Sequence, residues 1–408
     1  LERAGRALDR VCGVFFNLTG ACTTEGLQRI ERDVAPVLAR HGNAIYLDDA
    51  LFRRIDAVTA EGLGPEGQRL LARIRCTFRR RGAGLPAETR ARLAAIGERL
   101  AVLGTRFGQN VLADEQGWTM PLAGEADLAG LPDFVRAATR SAAAERGWDG
   151  HVVTLSRSVI EPFLQYSARR DLRERAFRAW SARGEGGGEH DNRAIVAETV
   201  RLRAERASLL GFPSYAHFRL DDAMAKTPDN AGALLRAVWA PARALAAAEQ
   251  ADLQALADAE AADLRIAPWD WRFYAERIRK ERFAVDAADV KPYLTLDGTL
   301  AAAFHCAAEL FGLRFAERTD VPGYHPAVRA WEVSDRDGRA VGLFLGDYFA
   351  RPSKRSGAWM SAFRGQRRLD GDVRPIVVNV ANFAEGSGDV PALLSFDDAR
   401  TLFHEFGH

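Results

Sequence analysis

Apolar residues recur every three or four positions along much of this chain, a pattern typical of helices with one buried face. In the segment from Leu85 to Asn110, the repeating positions are Leu93, Ile96, Leu100, Leu103 and Phe107. A second helix is predicted from Asn192 to Leu210, because Gly211 and Pro213 follow as stop signals. A third is predicted from Asn230 to Leu264, with Pro241 expected to break or kink it.

Short apolar runs near turn residues predict a small number of strands. The turn sequence Asp335-Arg336-Asp337-Gly338 separates two apolar runs and favours a hairpin. The strand candidates are Val152–Leu155, Trp331–Val333, Ala340–Leu345 and Pro375–Val380. The predicted fold is therefore mainly α, with a small antiparallel β-sheet near the C-terminus.

Composition excludes several classes of protein. Lys and Arg number 56 and Asp and Glu 55 among 408 residues, which gives a net charge of +1. With 47% hydrophobic residues, disorder is excluded, and a nucleic-acid partner is disfavoured because there is no basic excess. No apolar run approaches the ~20 residues of a membrane helix. We therefore expect no membrane association and a cytoplasmic location.

The sequence His404-Glu405-Phe406-Gly407-His408 is a His-Glu-x-x-His motif. Residues four apart lie one above the other on a helix, so His404 and His408 can bind one zinc ion. Glu405 lies about 100° further round the helix and can act as a general base toward a water molecule at the metal. The sequence therefore predicts a zinc-dependent hydrolase, with one Zn²⁺ per active site.

The residues before the motif favour the helix that it requires. Ser395 is a good N-cap, and Asp397 and Asp398 suit the positive end of the helix dipole. Helical spacing predicts one buried side of the helix, formed by Phe396, Ala399, Leu402, Phe403 and Phe406.

A second motif, Gly62-Leu63-Gly64-Pro65-Glu66-Gly67, matches the glycine spacing of dinucleotide-binding loops. It follows a helix-like segment rather than a strand, and Pro65 stands where the next helix would open. Because no βαβ unit surrounds it, dinucleotide binding is rejected.

Several segments resemble the thimet oligopeptidase family of zinc metallopeptidases. The residues Thr401–His408 resemble the active-site helix of that family, and Gly346–Met360 and Pro375–Phe383 resemble the segments before it. Weaker similarity extends toward the N-terminus, so the resemblance covers essentially the whole chain. Within the family, the chain is most similar to the peptidyl-dipeptidase branch.

The resemblance implies an elongated, two-lobed helical shell with a deep channel that admits short, unfolded peptides. It implies that His404 and His408 are zinc ligands and Glu405 the general base. We further hypothesise that the predicted strand binds substrate through Ile376, Val377, Val378, Asn379 and Val380, as a peptide adds to a sheet edge. In the family, the third zinc ligand is a glutamate on a downstream helix, so the chain is expected to be a truncated piece.

We therefore expect residues 1–160 to form an N-terminal helical region and residues 161–408 the first part of the catalytic domain. The expected activity is release of C-terminal dipeptides from short peptide substrates by a monomer. One alternative is an oligopeptidase-A-like endopeptidase. The other is that this piece alone is a catalytically incompetent helical scaffold.

Overall fold

The computed structural model describes residues 3–260, 263–284, 287–386 and 391–408. Most of these residues are helical. The helices are α1 (Arg6–Ala21), α2 (Glu25–Tyr46), α3 (Asp49–Asp56), α4 (Pro65–Arg81), α5 (Ala87–Gly117), α6 (Asp133–Ala144), α7 (Arg157–Tyr166), α8 (Arg170–Ser181), α9 (Arg193–Leu209), α10 (Tyr215–Leu220), α11 (Pro228–Glu260), α12 (Trp271–Phe283), α13 (Ala287–Val290), α14 (Leu296–Phe311) and α15 (Phe396–Gly407), with a 3₁₀ helix at Lys291–Tyr293.

The strands form two sheets. They are β1 (Thr119–Leu122), β2 (His151–Thr154), β3 (Arg314–Glu317), β4 (Arg329–Ser334), β5 (Ala340–Phe349), β6 (Trp359–Arg364) and β7 (Ile376–Phe383). The strands β1 and β2 pair antiparallel, and the larger sheet has the order β3-β4-β5-β7-β6. The predicted mainly α fold with a small sheet near the motif helix is confirmed.

The larger sheet is mixed rather than antiparallel, which corrects one detail of the prediction. The strands β5 and β7 run parallel, with Leu343 opposite Ile376 and Gly346 opposite Asn379, whereas the other ladders are antiparallel. Parallel neighbours need a long connection, and here the connection contains β6. The apolar pattern did not predict the direction of the strands, because parallel and antiparallel strands can both give short apolar runs.

The chain divides into two compact units, each built from separated segments. The first comprises residues 1–25, 112–183 and 250–408, and the second residues 26–111 and 184–249. The sequence-based boundary between residues 160 and 161 is a separate prediction about the catalytic region and stays a prediction.

In the second unit, α5 packs against α9 through apolar residues of both helices, including Ile96, Leu103, Ile195 and Leu202. Arg92 and Arg99 flank this contact, with nitrogen–oxygen distances of 2.5 Å to Glu205 and 2.7 Å to Glu198. Pro241 lies inside α11, which continues through it; of the predicted break or kink, the break does not occur and the kink stays a prediction.

Two apolar clusters of the first unit surround the larger sheet. One lies between the sheet, α14 and α15 and contains Leu300, Trp331, Phe344 and Leu402. The other lies on the opposite face and contains Ala21 at the end of α1. The hairpin between β4 and β5 turns as predicted: Gly338 has φ 79°, and the Asp335 carboxylate accepts hydrogen bonds from the backbone of Asp337 and Arg339 at 2.9 Å.

Along the part of the chain that is described, no helix has the combined length and apolarity needed to cross a membrane.

Candidate active site

The helix that carries the motif begins at a reciprocal cap. The Ser395 hydroxyl accepts a hydrogen bond from the backbone nitrogen of Asp398 at 3.1 Å. The Asp398 carboxylate in turn accepts from the backbone nitrogen of Ser395 at 3.0 Å. This capping box satisfies two amides that the first helical turn leaves without partners. The predicted N-cap at Ser395 is confirmed.

The segment before the cap is fixed to the start of α14. The Leu394 amide donates to the Leu294 carbonyl at 2.7 Å, and the Leu296 amide donates to the Ala392 carbonyl at 2.9 Å. Thr295 and Leu393 form an antiparallel bridge, and Leu394 is fully buried. The position of α15 is therefore set at its first residue by backbone hydrogen bonds.

One side of α15 is anchored in the apolar cluster beneath the sheet. Leu402 and Ala399 are buried, and the Phe406 ring lies within 5.7 Å of the rings of Phe304, Phe315 and Phe344, measured between centroids. The aromatic side chain inside the motif thus holds the helix, while the residues on either side of it face elsewhere.

The prediction that Phe396 and Phe403 are buried is wrong. Phe396 is 71% exposed and Phe403 39% exposed. Both lie on the flank of the helix, beside Tyr293 and Thr299 at a shallow apolar depression. Helical spacing predicted a wide apolar face, but α14 and the sheet cover only its centre.

The two histidines of the motif stand together on the exposed side of the helix. Their ring centroids are 4.8 Å apart and the ring planes lie at 87° to each other. His404 and His408 are both exposed, and Glu405 between them is half-buried. His404 and His408 each lie two positions from Phe406, on the side of the helix away from that anchor, and Glu405 lies between these two sides.

The arrangement fits part of a metal site. Two adjacent imidazoles are suitable zinc ligands, and a catalytic zinc usually has three protein ligands. Within residues 3–260, 263–284, 287–386 and 391–408, no group of three or more His, Cys, Asp or Glu side chains is placed to hold a metal. Among the described residues, His404 and His408 are therefore two candidate ligands of such a site and Glu405 its candidate base.

The hypothesis that a peptide pairs with residues 376–380 is incompatible with the sheet topology. Strand β7 lies between β5 and β6, and both of its neighbours pair along this segment. Its backbone groups are therefore engaged in ladders, and Val378, Asn379 and Val380 are buried. Whether side chains of Ile376–Val380 contact substrate stays a prediction. The edge strand next to β7 is β6, and β3 forms the other edge of this sheet.

A buried group of charges beside the sheet was not predicted. Asp347, at the end of β5, is fully buried and accepts hydrogen bonds from Arg351, Lys354 and Tyr324 at 2.5–2.8 Å. The Lys354 ammonium also donates to the Phe349 and Ala381 carbonyls, at 2.6 and 2.9 Å. Arg351 also donates to the carbonyl of Ala21. These contacts join β5, β7 and the end of α1.

Burial and charge act against each other in this group. Burial opposes ionisation of Asp347, but the hydrogen bonds from Arg351 and the charge of Lys354 outweigh it and lower the pKa of Asp347. Burial also lowers the pKa of Lys354 to about 8, against the raising effect of Asp347. The segment Gly346–Met360, which resembles the family, contains Asp347, Arg351 and Lys354. This resemblance was the one feature of the sequence that pointed to the importance of these residues.

The chain is similar to known peptidases. The model of a family described as peptidase family M3 matches residues 163–408. The chain is 42% identical to dipeptidyl carboxypeptidase of Salmonella typhimurium and 40% identical to dipeptidyl carboxypeptidase of Escherichia coli. It is 35% identical to oligopeptidase A of Escherichia coli.

All three alignments cover the whole chain but only part of each relative. The share of the relative is 61% for the two dipeptidyl carboxypeptidases and 62% for oligopeptidase A. The chain therefore spans about three-fifths of the length of these curated relatives.

Proposed function

This chain belongs to peptidase family M3, and from that premise we propose that it forms part of a zinc peptidase that releases C-terminal dipeptides from short oligopeptides. The observation that carries the proposal is the pair of exposed imidazoles of His404 and His408, with Glu405 half-buried on the same helix, which is capped at Ser395 and anchored by Phe406. The similarity to two dipeptidyl carboxypeptidases supports the choice of product.

In this proposal, His404 and His408 hold one zinc ion, together with a ligand from outside the described residues. When bound there, zinc supplies Lewis-acid chemistry, which makes a water molecule more acidic and polarises a carbonyl group. Glu405 removes the proton from the water and later delivers it to the leaving amine. Glu405 is half-buried and lies about 100° round the helix from His404, a position that suits this role.

The extended substrate is proposed to lie along β6 rather than β7. Strand β6 is the edge of the sheet on this side, and an edge can accept a peptide as an additional strand. Met360 is opposite Asn379 in the register of the two strands, so both side chains face the same side of the sheet. Val378 and Val380 face the other side, where they belong to the apolar cluster that contains Ala21. Toward the C-terminal end of β6, the Ala362 carbonyl accepts a hydrogen bond from the Asn17 side chain at 3.2 Å. The proposed peptide would therefore pair with the N-terminal part of the strand.

Replacing the base tests the mechanism. In a polypeptide that extends this chain to the length of its relatives, Glu405→Gln should keep the bound zinc and lower turnover by about 10²–10⁴-fold, since removing a positioned base typically has this effect. Zinc content and hydrolysis of a short peptide are measured on the same samples. Near-normal turnover with zinc in place would refute the assignment of Glu405.

An endopeptidase of the oligopeptidase A type is the second candidate, because the chain is also 35% identical to that enzyme. Peptides with an amidated C-terminus separate the two activities. A peptidyl-dipeptidase should cleave the free acid and fail on the amide, whereas an endopeptidase should cleave both.

For the 408 residues alone, an inactive helical scaffold is the third candidate. It is favoured by the two-ligand arrangement of the described residues, since a catalytic zinc normally has three protein ligands. Hydrolysis by this chain at rates comparable with those of its longer relatives would contradict it.

A further inference from the structure

A cavity of about 560 Å³ lies beside the first half of α15. Its walls come from α6, α7, α12, the 3₁₀ helix with the residue before it, the end of β7, the loops that follow β7 and precede β6, and α15 itself. All of these elements belong to one compact unit. The volume is within the range of pockets that bind small molecules, roughly 300–1,000 Å³.

The cavity continues the helix face that carries the motif. Asp397 and Thr401 line it, and they are four residues apart, so they lie on one face. Glu405 lies four residues beyond Thr401, and His408 seven residues beyond it, along the same row. A ligand that reaches His404 and His408 therefore has this cavity about one helical turn, ~5.4 Å, to one side.

Most charged side chains around the cavity already have partners. Glu161 accepts hydrogen bonds from Arg157 at 2.9 Å and Arg272 at 3.1 Å. Glu276 accepts hydrogen bonds from Gln165 and Arg279, both at 2.9 Å.

The two acidic residues of the first turn of α15 are also engaged. Asp398 forms the capping box with Ser395. The Asp397 carboxylate lies 3.2 Å from the Arg400 guanidinium.

Lys291 is the exception among these groups. Its ammonium lies 3.7 Å from the centroid of the Phe134 ring, which fixes its position by a cation–π contact. Over the residues that the structure describes, no carboxylate lies within ion-pair distance of it. Burial lowers the pKa of Lys291, with Asp398 opposing the change. A carboxylate entering the cavity would give this half-buried ammonium the ion-pair partner that it lacks among the described residues and would lower the cost of burying it.

We propose that Lys291 binds the C-terminal carboxylate of the peptide and that the cavity holds the peptide's last residues. The choice of a peptide as ligand rests on the proposed function. Phe134, Phe383 and Phe396 give the cavity an apolar wall for a side chain. A carboxylate anchored at a fixed position beside the motif would determine how many residues lie between the peptide's end and the cleaved bond. Lys291 is thus a specificity-determining residue for release of a short C-terminal product.

Binding of a product-like dipeptide to the 408-residue chain tests this inference without requiring catalysis. The probes are alanylphenylalanine and its C-terminal amide, titrated calorimetrically in the presence of a chelator so that no metal can bind the carboxylate. The free acid should bind about tenfold or more tightly than the amide, the expected effect of one charge-assisted contact. Equal affinity of the two probes, or binding of neither, would overturn the proposal.

Three variants assign the preference to the ammonium. Lys291→Met should remove the preference for the acid, Lys291→Arg should retain it, and Lys226→Met, which changes an exposed lysine of the other unit, should leave it unchanged. Thermal unfolding of each variant shows whether it is folded. A folded Lys291→Met protein that still prefers the acid would contradict the assignment. Because these experiments use no turnover, their failure is distinguishable from failure of the Glu405 experiment.

Discussion

Asp347 shares its buried carboxylate among three donors, and this residue-scale arrangement connects the sheet to the loop that leads into β6. The donors Arg351 and Lys354 lie four and seven residues after it, and Tyr324 reaches it from the segment before β4. A buried charge without a partner is costly, so each member of the group requires the others. The loop is therefore fixed by electrostatics as well as by apolar packing.

Removing the central carboxylate should be strongly destabilising. Asp347→Asn leaves Lys354 and Arg351 buried without a counter-ion, and loss of one partner of a buried ion pair costs about 3–5 kcal/mol. Urea-induced unfolding followed by circular dichroism measures the loss. The control is Asp320→Asn, which breaks an exposed pair with Arg318 and should have a much smaller effect. Equal losses in the two variants would contradict a structural role for the buried group.

The same group predicts a pH dependence of stability. The pKa of Lys354 is about 8 in the folded protein, below the ordinary lysine value of 10.5. Between these values the unfolded state binds more protons than the folded state, so the free energy of unfolding rises with pH through this window. Lys354→Met should remove this contribution. Urea unfolding of both proteins at pH 8, 9 and 10 checks it, and the same slope in both would contradict it.

At the residue scale, the sequence predicts functional groups whose residues are close together in the chain. It does not predict groups whose residues come together only through the fold. His404, Glu405 and His408 follow from spacing along one helix. The partnership of Asp347 with Tyr324 depends on a fold that brings residues 23 positions apart together. That the Lys291 ammonium has no ion-pair partner among the described residues depends on which carboxylates the fold places near it, and the spacing of residues along the chain does not predict this.

At the scale of elements, the helix cap at Ser395 controls where α15 begins and hence where the motif stands. Ser395→Ala removes the acceptor for the Asp398 amide and should cost about 1 kcal/mol. Thermal unfolding measures the loss, and Ser395→Thr, which keeps a hydroxyl acceptor, should retain most of the stability. If Ala and Thr at this position give the same melting temperature, the hydroxyl does not contribute.

The start of a helix or the position of a turn could be predicted from the sequence where particular residues favour it. The cap at Ser395 and the turn ending at Gly338 are examples, and both appear in the structure. The neighbours of β7 were not predictable, because a strand's apolar pattern does not identify the strands that pair with it. That is why residues 376–380 were expected at a sheet edge, although β6 occupies that position.

At the scale of the whole molecule, the described residues include the helix of the proposed metal site and a cavity of about 560 Å³ beside it. The chain covers about three-fifths of the length of its relatives, and the activity of the full-length protein stays a proposal. Two imidazole ligands bind zinc less tightly than the three-ligand sets of catalytic sites. We therefore expect the 408-residue chain to bind zinc weakly and the extended polypeptide to bind it tightly.

The central claim is that His404 and His408 bind the metal, and zinc binding to this chain tests it most directly. Equilibrium dialysis against Zn²⁺ compares the wild-type chain, the double variant His404→Ala/His408→Ala, and His305→Ala, which removes an exposed histidine of α14. The predicted result is one weakly bound zinc ion per chain in the wild type and in His305→Ala, and none at that affinity in the double variant. Unchanged binding in the double variant would contradict the account.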